Sequence, residues 1–308
     1  MGRVSRDTPY DKIVSLTGYV SADPLPSAEE LSHFYADVYF QQQASSTYQA
    51  EYSDDELTQK RLRSALTIHS VNECRGTPIA MGCFVDVGCG EGFTLAEARK
   101  AGFEIVGLDF SSYGVDKFHP DLAKYTRQGD AIDLVDAMIA SGERAAVCVL
   151  QNVLEHVRYP TQVMDKLRKL IQPDGLVVIT VPNDYSRTQQ RLQELGLSDH
   201  EYWFVPPQHL HYFNSDNLQK FVRSMSFEIV DMFGDFPIEM FLFHPASNYV
   251  LDRQRGKDAH RARVLLDLLL AERGLTPYLQ FCRALTACGM GRNITFVLKP
   301  VREARDHR

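Results

Sequence analysis

The sequence has no apolar run long enough to cross a bilayer, and Met1-Gly2-Arg3-Val4-Ser5-Arg6 lacks the apolar stretch of a secretory leader. Arg6 also stands where a myristoylation signal needs Ser or Thr. The six cysteines (Cys74, Cys83, Cys89, Cys148, Cys282 and Cys288) form no CxxC pair, which argues against a zinc ribbon or a thioredoxin-like motif. Cys83, Cys89 and Cys148 lie in or beside apolar runs, where a thiol behaves as a small hydrophobe. Positive charge is in deficit: 33 Lys and Arg against 40 Asp and Glu give a net charge of −7, so no global field draws in nucleic acid. There is no internal repeat and no low-complexity tract. Together these absences predict a cytoplasmic protein with a small-molecule partner, no membrane span and no nucleic acid.

What is present is ordinary in bulk. A chain of 308 residues, 44% apolar and 24% charged, suits one large domain with insertions or two modest domains, with a core that needs no disulfide or metal staple. From about Cys83 onward, short apolar runs alternate with amphipathic stretches, the pattern of a parallel sheet with crossover helices. Phe84–Val87 reads as a buried strand running into a glycine turn, Thr94–Ala101 as a helix stopped by Gly102, and Glu104–Leu108 as a strand ending at Asp109. Ala145–Leu150, almost wholly apolar, reads as a central strand, Pro160–Ile171 as a helix and Leu176–Val181 as another central strand stopped by Pro182. Residues 183–213 read as a long irregular stretch. Asn214-Ser215 then caps a helix carrying Leu218, Phe221, Val222 and Met225 at helical spacing.

Phe227–Met232 and Asn293–Lys299 read as late strands that pair antiparallel around a helical insertion, whose leucine-rich Val264–Ala271 needs a packing partner, either within the chain or in a homodimer. Ahead of the sheet, Ser27–Phe40 and Leu57–Ile68 read as two helices. The expected organisation is an N-terminal helical cap over residues 1–75, a Rossmann-like α/β core over 76–235, a helical insertion over 236–290, and a last core strand and tail over 291–308.

The strongest local signal is the turn after the first core strand. Gly88, Gly90 and Gly92 give the spacing GxGxG, which brings backbone N–H groups and bare Cα atoms close to a ligand. A dinucleotide fingerprint wants Gly or Ala at position 93, where the chain has Phe93, so a nicotinamide oxidoreductase is disfavoured. Asp109 ends the next strand, where a carboxylate can accept both hydroxyls of a ribose.

These motifs resemble those of class I S-adenosylmethionine-dependent methyltransferases. Val85-Asp86-Val87-Gly88-Cys89-Gly90-Glu91-Gly92 looks like their first motif, Gly107-Leu108-Asp109-Phe110-Ser111 their second and Gln128-Gly129-Asp130-Ala131 their third. Leu150-Gln151-Asn152-Val153-Leu154-Glu155-His156-Val157 resembles the fourth, in the branch of ubiquinone-pathway and sugar or natural-product O-methyltransferases, and Gly175–Asn183 the fifth-strand segment. The likeness covers roughly residues 80–235 plus the last strand. It implies a seven-stranded Rossmann-like sheet with helices on both faces and S-adenosylmethionine as cofactor, leaving as S-adenosylhomocysteine. It also implies that Gly88, Cys89, Gly90 and Gly92 cradle the methionine part, with Asp86 at its amino group and Asn152 lining that end. Asp109 would bind ribose, Phe110 lie against adenine, and Asp130 with Ala131 take the adenine amine; the alternative for Asp130 is a helix N-cap.

For a hydroxyl acceptor the enzyme must remove a proton, a task suited to an imidazole. His156 follows a central strand's carboxyl end, where open α/β sheets place ligands, and Glu155 beside it can orient an imidazole. His209 and His211, in Trp203–Phe213, are further candidates, His209 being the second choice for the base. Some related quinone-ring methyltransferases hold a divalent ion with a glutamate three residues before the Glu-His pair. Here that position is Asn152, a poorer ligand for a hard cation, so no metal is predicted. Tyr35, Tyr39, Tyr48 and Tyr52 are placed to cover the acceptor or to seal the cap, and Arg187, Arg191 and Lys166 read as solvated charges.

The reaction expected is methyl transfer to a hydroxyl of a small polar acceptor, a sugar or glycan-linked metabolite. The alternatives are an amine or amino-sugar, a quinone-pathway phenol, or a catalytically silent cofactor-binding subunit. Methylation of nucleic-acid amines is disfavoured because Gln151-Asn152-Val153-Leu154 stands where an Asn/Asp-Pro-Pro-aromatic motif would be.

Overall fold

The structure, a computed structural model, describes residues 9–34, 51–75 and 82–301. Its strands are β1 (Asp11–Val14), β2 (Val20–Asp23), β3 (Cys83–Val87), β4 (Glu104–Asp109), β5 (Thr126–Gln128), β6 (Ala145–Gln151), β7 (Ile171–Pro182), β8 (His211–Tyr212), β9 (Phe227–Gly234) and β10 (Asn293–Pro300). Its α-helices are α1 (Ala28–His33), α2 (Asp54–Arg75), α3 (Phe93–Lys100), α4 (Tyr113–Phe118), α5 (Ala131–Ala140), α6 (Pro160–Leu170), α7 (Arg187–Glu194), α8 (Ser215–Ser224), α9 (Gly256–Ala271) and α10 (Leu275–Ala287).

The apolar runs decide the centre of the sheet. Ala145–Leu150 is buried along its whole length, as a strand covered on both faces must be, and β6 lies between β3 and β7 in the order β5-β4-β3-β6-β7-β10-β9. The first five of these strands run parallel, and β10 is antiparallel to both neighbours. Val87, Asp109, Gln151, Pro182 and Gly234 therefore end their strands at one edge, where β10 begins at Asn293. This is the seven-stranded Rossmann-like sheet expected, with the two late strands paired as read.

Strand alternation divides the core between two faces. On one, Val85, Val87, Cys148 and Leu150 meet Met164 and Leu167 of α6 and Phe221 of α8. On the other, Phe84, Val147 and Val149 meet Leu95 of α3, Leu66 and Val71 of α2, and Leu279 of α10. Each of these side chains contributes about 1.5–3 kcal/mol by leaving water.

The N-terminal region is not simply a helical cap. β1 and β2 form a hairpin, and β2 pairs with β8 through Val20↔Tyr212 and Ser21↔His211 in a separate three-stranded sheet. The hairpin was hidden because β1 buries none of its four residues, so no alternating pattern marks it. Ala22 joins Trp203, Phe204 and Tyr212 in a small satellite core. The first expected helix is seen as the short α1; Tyr35, Tyr39, Phe40 and Tyr48 lie outside the described residues. The second is longer than read: Leu66 and Val71 pack into the helical layer on one face of the sheet, while Lys60, Arg63, Ser64 and Thr67 turn toward its carboxyl edge. The stretch 183–213 is not wholly irregular either: Ser186 and Gln189 make a capping box that starts α7.

The insertion is fastened by charge. Asp267 of α9 is fully buried and accepts from Gln59 Nε2 (2.5 Å), Arg63 (3.3 Å) and Tyr278 Oη (2.7 Å), tying α9 to α2 and α10. Leu265 and Leu269, one turn apart on the same helix, stay about half exposed, at 47% and 57%. Asp267→Ala should cost about 3 kcal/mol, since it strands buried partners of a carboxylate, whereas Leu265→Ala should stay within about 0.5 kcal/mol of wild type. Urea unfolding midpoints for the two variants check both.

Candidate active site

A cavity of about 750 Å³ opens at the ligand-bearing edge of the sheet. Asp86, Gly88, Cys89, Gly90, Gly92, Asp109, Phe110, Asp130, Ala131 and Asn152 all line it, so every residue assigned to the cofactor falls in one place. The turn that brings them together is left-handed at Gly88 (φ 76°), Gly90 (φ 53°) and Gly92 (φ 80°). A Cβ on Gly88 would stand 2.6 Å from Val153 Cγ2, so the loop after β6 closes directly on the turn.

Asp109 is held from both sides. Its Oδ2 accepts Gly90 N–H (2.8 Å) and its Oδ1 accepts Ser111 N–H (3.0 Å), which fixes the carboxylate at the cavity wall with lone pairs to spare. Burial raises its pKa, and those backbone donors pull it back. Asp86 lies deeper, 2% exposed, and burial with the nearby Asp109 charge pushes its carboxyl up to about 7. Phe110 keeps 55% of its surface exposed beside the cavity, a flat apolar face next to Asp109. Asp130 is the N-cap of α5, its Oδ1 accepting from Ile132 N and Asp133 N, and it also lines the cavity. Asn152 holds the left-handed region (φ 52°), which asparagine tolerates better than most residues, with its N–H on Thr180 O at 2.8 Å. Phe93 packs against Phe118 and His119 at the head of α3.

The residues assigned to proton removal do not share the cavity. His156 lines the cavity; Glu155, His209 and His211 do not. His211 is 3% exposed because β8 pairs with the hairpin, and its Nδ1 sits 2.8 Å from Ser21 Oγ. His209 turns instead onto His156, with ring centroids 4.9 Å apart. Burial lowers the pKa of His156 to about 3 and of His209 and His211 to about 4, so all three are neutral near pH 7. Because neither reaches the cavity wall, the assignment of His209 and His211 as acceptor-facing bases is corrected. Glu155, 1% exposed, is raised by burial to about 8.

The far part of the cavity was invisible as a motif. Lys60, Arg63, Ser64 and Thr67 of α2, Thr180, Asp235, Tyr278, Asn293 and Thr295 line it. Their elements lie up to hundreds of residues apart in sequence, and only the sheet order brings them together. Asp235 follows β9 directly; it accepts Asn293 N and Nδ2, both at 2.7 Å, and Arg63 stands 3.4 Å away. Ser64 Oγ, Thr94 Oγ1 and Gln151 Oε1 form a polar chain at 3.2 and 3.3 Å that carries α2 across the end of β6. Tyr52 and Lys60 both reach Glu91 at 2.7 Å, fastening the start of α2 to the glycine turn. Lys166 lines the cavity while paired to Asp136 at 2.6 Å; Arg187 and Arg191 pair with Glu194 at the surface.

The family model described as "Methyltransferase domain" matches residues 58–232, more than half of the chain. The chain belongs to the methyltransferase-domain family. Its motifs and sheet are those of the class I, S-adenosylmethionine-dependent branch. Among curated relatives, a ubiquinone biosynthesis O-methyltransferase of Cereibacter sphaeroides is 31% identical over 105 residues, 32% of this chain and 40% of the relative. One of the same description from Roseobacter denitrificans is 25% identical over 171 residues, 53% of this chain and 64% of the relative. The chain thus spans about two fifths of the Cereibacter relative's length. Among solved structures, the plantazolicin methyltransferase BpumL in complex with SAH superposes with a TM-score of 0.50 at 15% identity, covering 88% of this chain and 94% of that one, which shows a shared fold. Among the described residues no helix is long and apolar enough to cross a membrane.

The Asp86 shift makes a prediction about the protein without ligand. Its carboxyl titrates near 7 when folded, against an ordinary 3.8, so between about pH 4 and 7 the folded state keeps a proton that the unfolded chain has lost. Stability then falls as pH rises through that window. Asp86→Asn removes this slope, and the variant should gain on wild type between pH 4.5 and 7.5 by about 1.4 kcal/mol per unit of pKa displacement. Urea midpoints at the two pH values check it.

Proposed function

We propose that the protein transfers a methyl group from S-adenosylmethionine to a hydroxyl of a polar acceptor, and that the acceptor is of the sugar class. The observation that carries this is the continuity of one cavity: a cradle of glycines and carboxylates at β3–β5 opens into a chamber at β6–β10 whose largely apolar wall carries hydroxyls, amides and an ion pair. That continuity also argues against a silent cofactor-binding subunit, which needs no second chamber.

The residues present fit the cofactor by their donor chemistry. Asp86 is a buried carboxyl that ionises at little cost once a cationic ammonium faces it. Asp109 keeps lone pairs for two ribose hydroxyls, Phe110 offers its face to the adenine ring, and Asp130 keeps Oδ2 for the ring's amine. When bound, the sulfonium supplies an activated methyl group whose leaving sulfur needs no acid. The protein's remaining tasks are to align the acceptor and to take its proton. Asp235 does the second: it is a carboxylate in the chamber wall, steered by Asn293 and Arg63 and open to the cavity. Arg63, Thr180 and Thr295 supply hydrogen bonds to further hydroxyls, and α2 keeps bulk water from the reacting atoms.

A second reading, a phenolic or quinone-pathway hydroxyl, is favoured by Phe233, Leu66 and Tyr278 in the same wall and by the description of the curated relatives. An amine acceptor, which can lose its proton to water, would not need Asp235.

Calorimetry should give micromolar binding of S-adenosylmethionine and S-adenosylhomocysteine, weakened at least about tenfold, or 1.4 kcal/mol, by Asp109→Ala. No binding to folded protein would sink the reading. Asp235→Asn should leave cofactor affinity unchanged and lower kcat on a hydroxyl acceptor by about 10²-fold. Labelled-methyl transfer to panels of sugar nucleotides, catechols and amino-sugars decides the acceptor class; turnover of catechols alone would replace the sugar reading with the phenolic one.

A further inference from the structure

Behind the cavity wall lies a polar cluster that the proposed reaction does not use. Glu155, His156 and His209 each offer a ligand atom, and the three atoms lie within 4.8 Å of one another. Glu155 is 1% exposed, and beyond its own backbone N–H neither of its carboxyl oxygens has a hydrogen-bond partner among the described residues. The His156 imidazole stands beside it, with Oε1 3.8 Å from Nε2. His209 Nδ1 is likewise buried without a partner. Native proteins rarely leave a carboxyl and an imidazole nitrogen orphaned side by side, because each lost hydrogen bond costs about 1–3 kcal/mol.

The surroundings hold this cluster in shape. His156 Nδ1 hydrogen-bonds Gln208 O at 2.5 Å, which sets the tautomer and turns Nε2 toward Glu155. A backbone carbonyl on the far ring nitrogen is the usual support of a metal-ligating histidine. Leu210 N and His211 N both donate to Glu155 O, at 2.8 and 3.1 Å, and Tyr212 Oη donates to His209 O at 2.8 Å. Two segments some fifty residues apart are thus clamped backbone to backbone, with three ligand atoms facing inward.

We infer that Glu155, His156 and His209 form a binding site for a divalent first-row transition-metal ion. Two imidazoles and one carboxylate are a donor set for zinc or ferrous-type ions, bound at about 2.0–2.2 Å, whereas magnesium and calcium select oxygen ligands. The ion would pin the loop after β6 to the segment before β8. His156, which also lines the cavity, would then be a ligand rather than a base. Asn152 takes no part in this set, so the absence of a glutamate there, read from the sequence as an argument against metal, does not bear on it.

The test is cobalt and zinc titration of the full chain after chelator dialysis, followed by metal analysis. One equivalent of zinc per chain should be retained, and cobalt(II) should give the intense visible bands of a low-coordinate nitrogen-ligated site. Magnesium should compete with neither ion. His209→Gln and Glu155→Gln should each weaken zinc binding at least tenfold, with folding confirmed by circular dichroism and with S-adenosylmethionine affinity as an independent control. Less than about a tenth of an equivalent of zinc in wild type, binding unchanged in folded His209→Gln, or displacement of cobalt by magnesium would each overturn the inference. Should Glu155→Gln fail to fold, the cobalt spectrum of wild type against His209→Gln decides alone.

Discussion

The cavity exists because α2 is held across the carboxyl edge of the sheet by buried charge. Arg63 bridges Asp235 at the end of β9 and Asp267 in α9, and Gln59 and Tyr278 complete the shell around Asp267. Apolar packing of Leu66 and Val71 would keep the helix against the sheet but would not set its rotation. Partly buried ion pairs of this kind add little net stability, and their effect here is to select one arrangement of α2 over its neighbours. Here the arrangement selected is the one that turns Lys60, Arg63, Ser64 and Thr67 into the chamber.

The two ends of the cavity were unequally legible. The cradle could be read residue by residue, because its chemistry is concentrated in turns that follow strands and local sequence dictates both. Gly88 and Gly92 must take left-handed backbone, and Asp109 must end β4 to reach Gly90 N–H. The chamber could not be read, because Arg63, Asp235, Tyr278 and Thr295 come from four elements joined only by the order β7-β10-β9 and by the docking of α2 and α10. None stands in a pattern that a strand or helix period reveals.

The histidines failed as a reading for a different reason. His209 and His211, on either side of Leu210, would share a direction only in an extended segment, and only His211 and Tyr212 are extended. The hairpin β1–β2, whose exposed first strand leaves no trace in the hydrophobic pattern, takes His211 to the interior. His209 is left facing His156. A segment that could not be seen in the sequence thus chose which imidazole meets which neighbour.

The placement of β10 carries a consequence for how the molecule is assembled. Asp235 and Asn293, hydrogen-bonded across the chamber wall, are 58 residues apart in the chain, and β10 must slot between β7 and β9 to make that contact. Closing so long a loop is slow and entropically costly. A ribosome delivers β3 to β6, with the glycine turn and Asp109, well before the strand that finishes the far wall of the cavity. Until β10 pairs, β7 lacks a partner along one edge and β9 has no neighbour in the sheet at all.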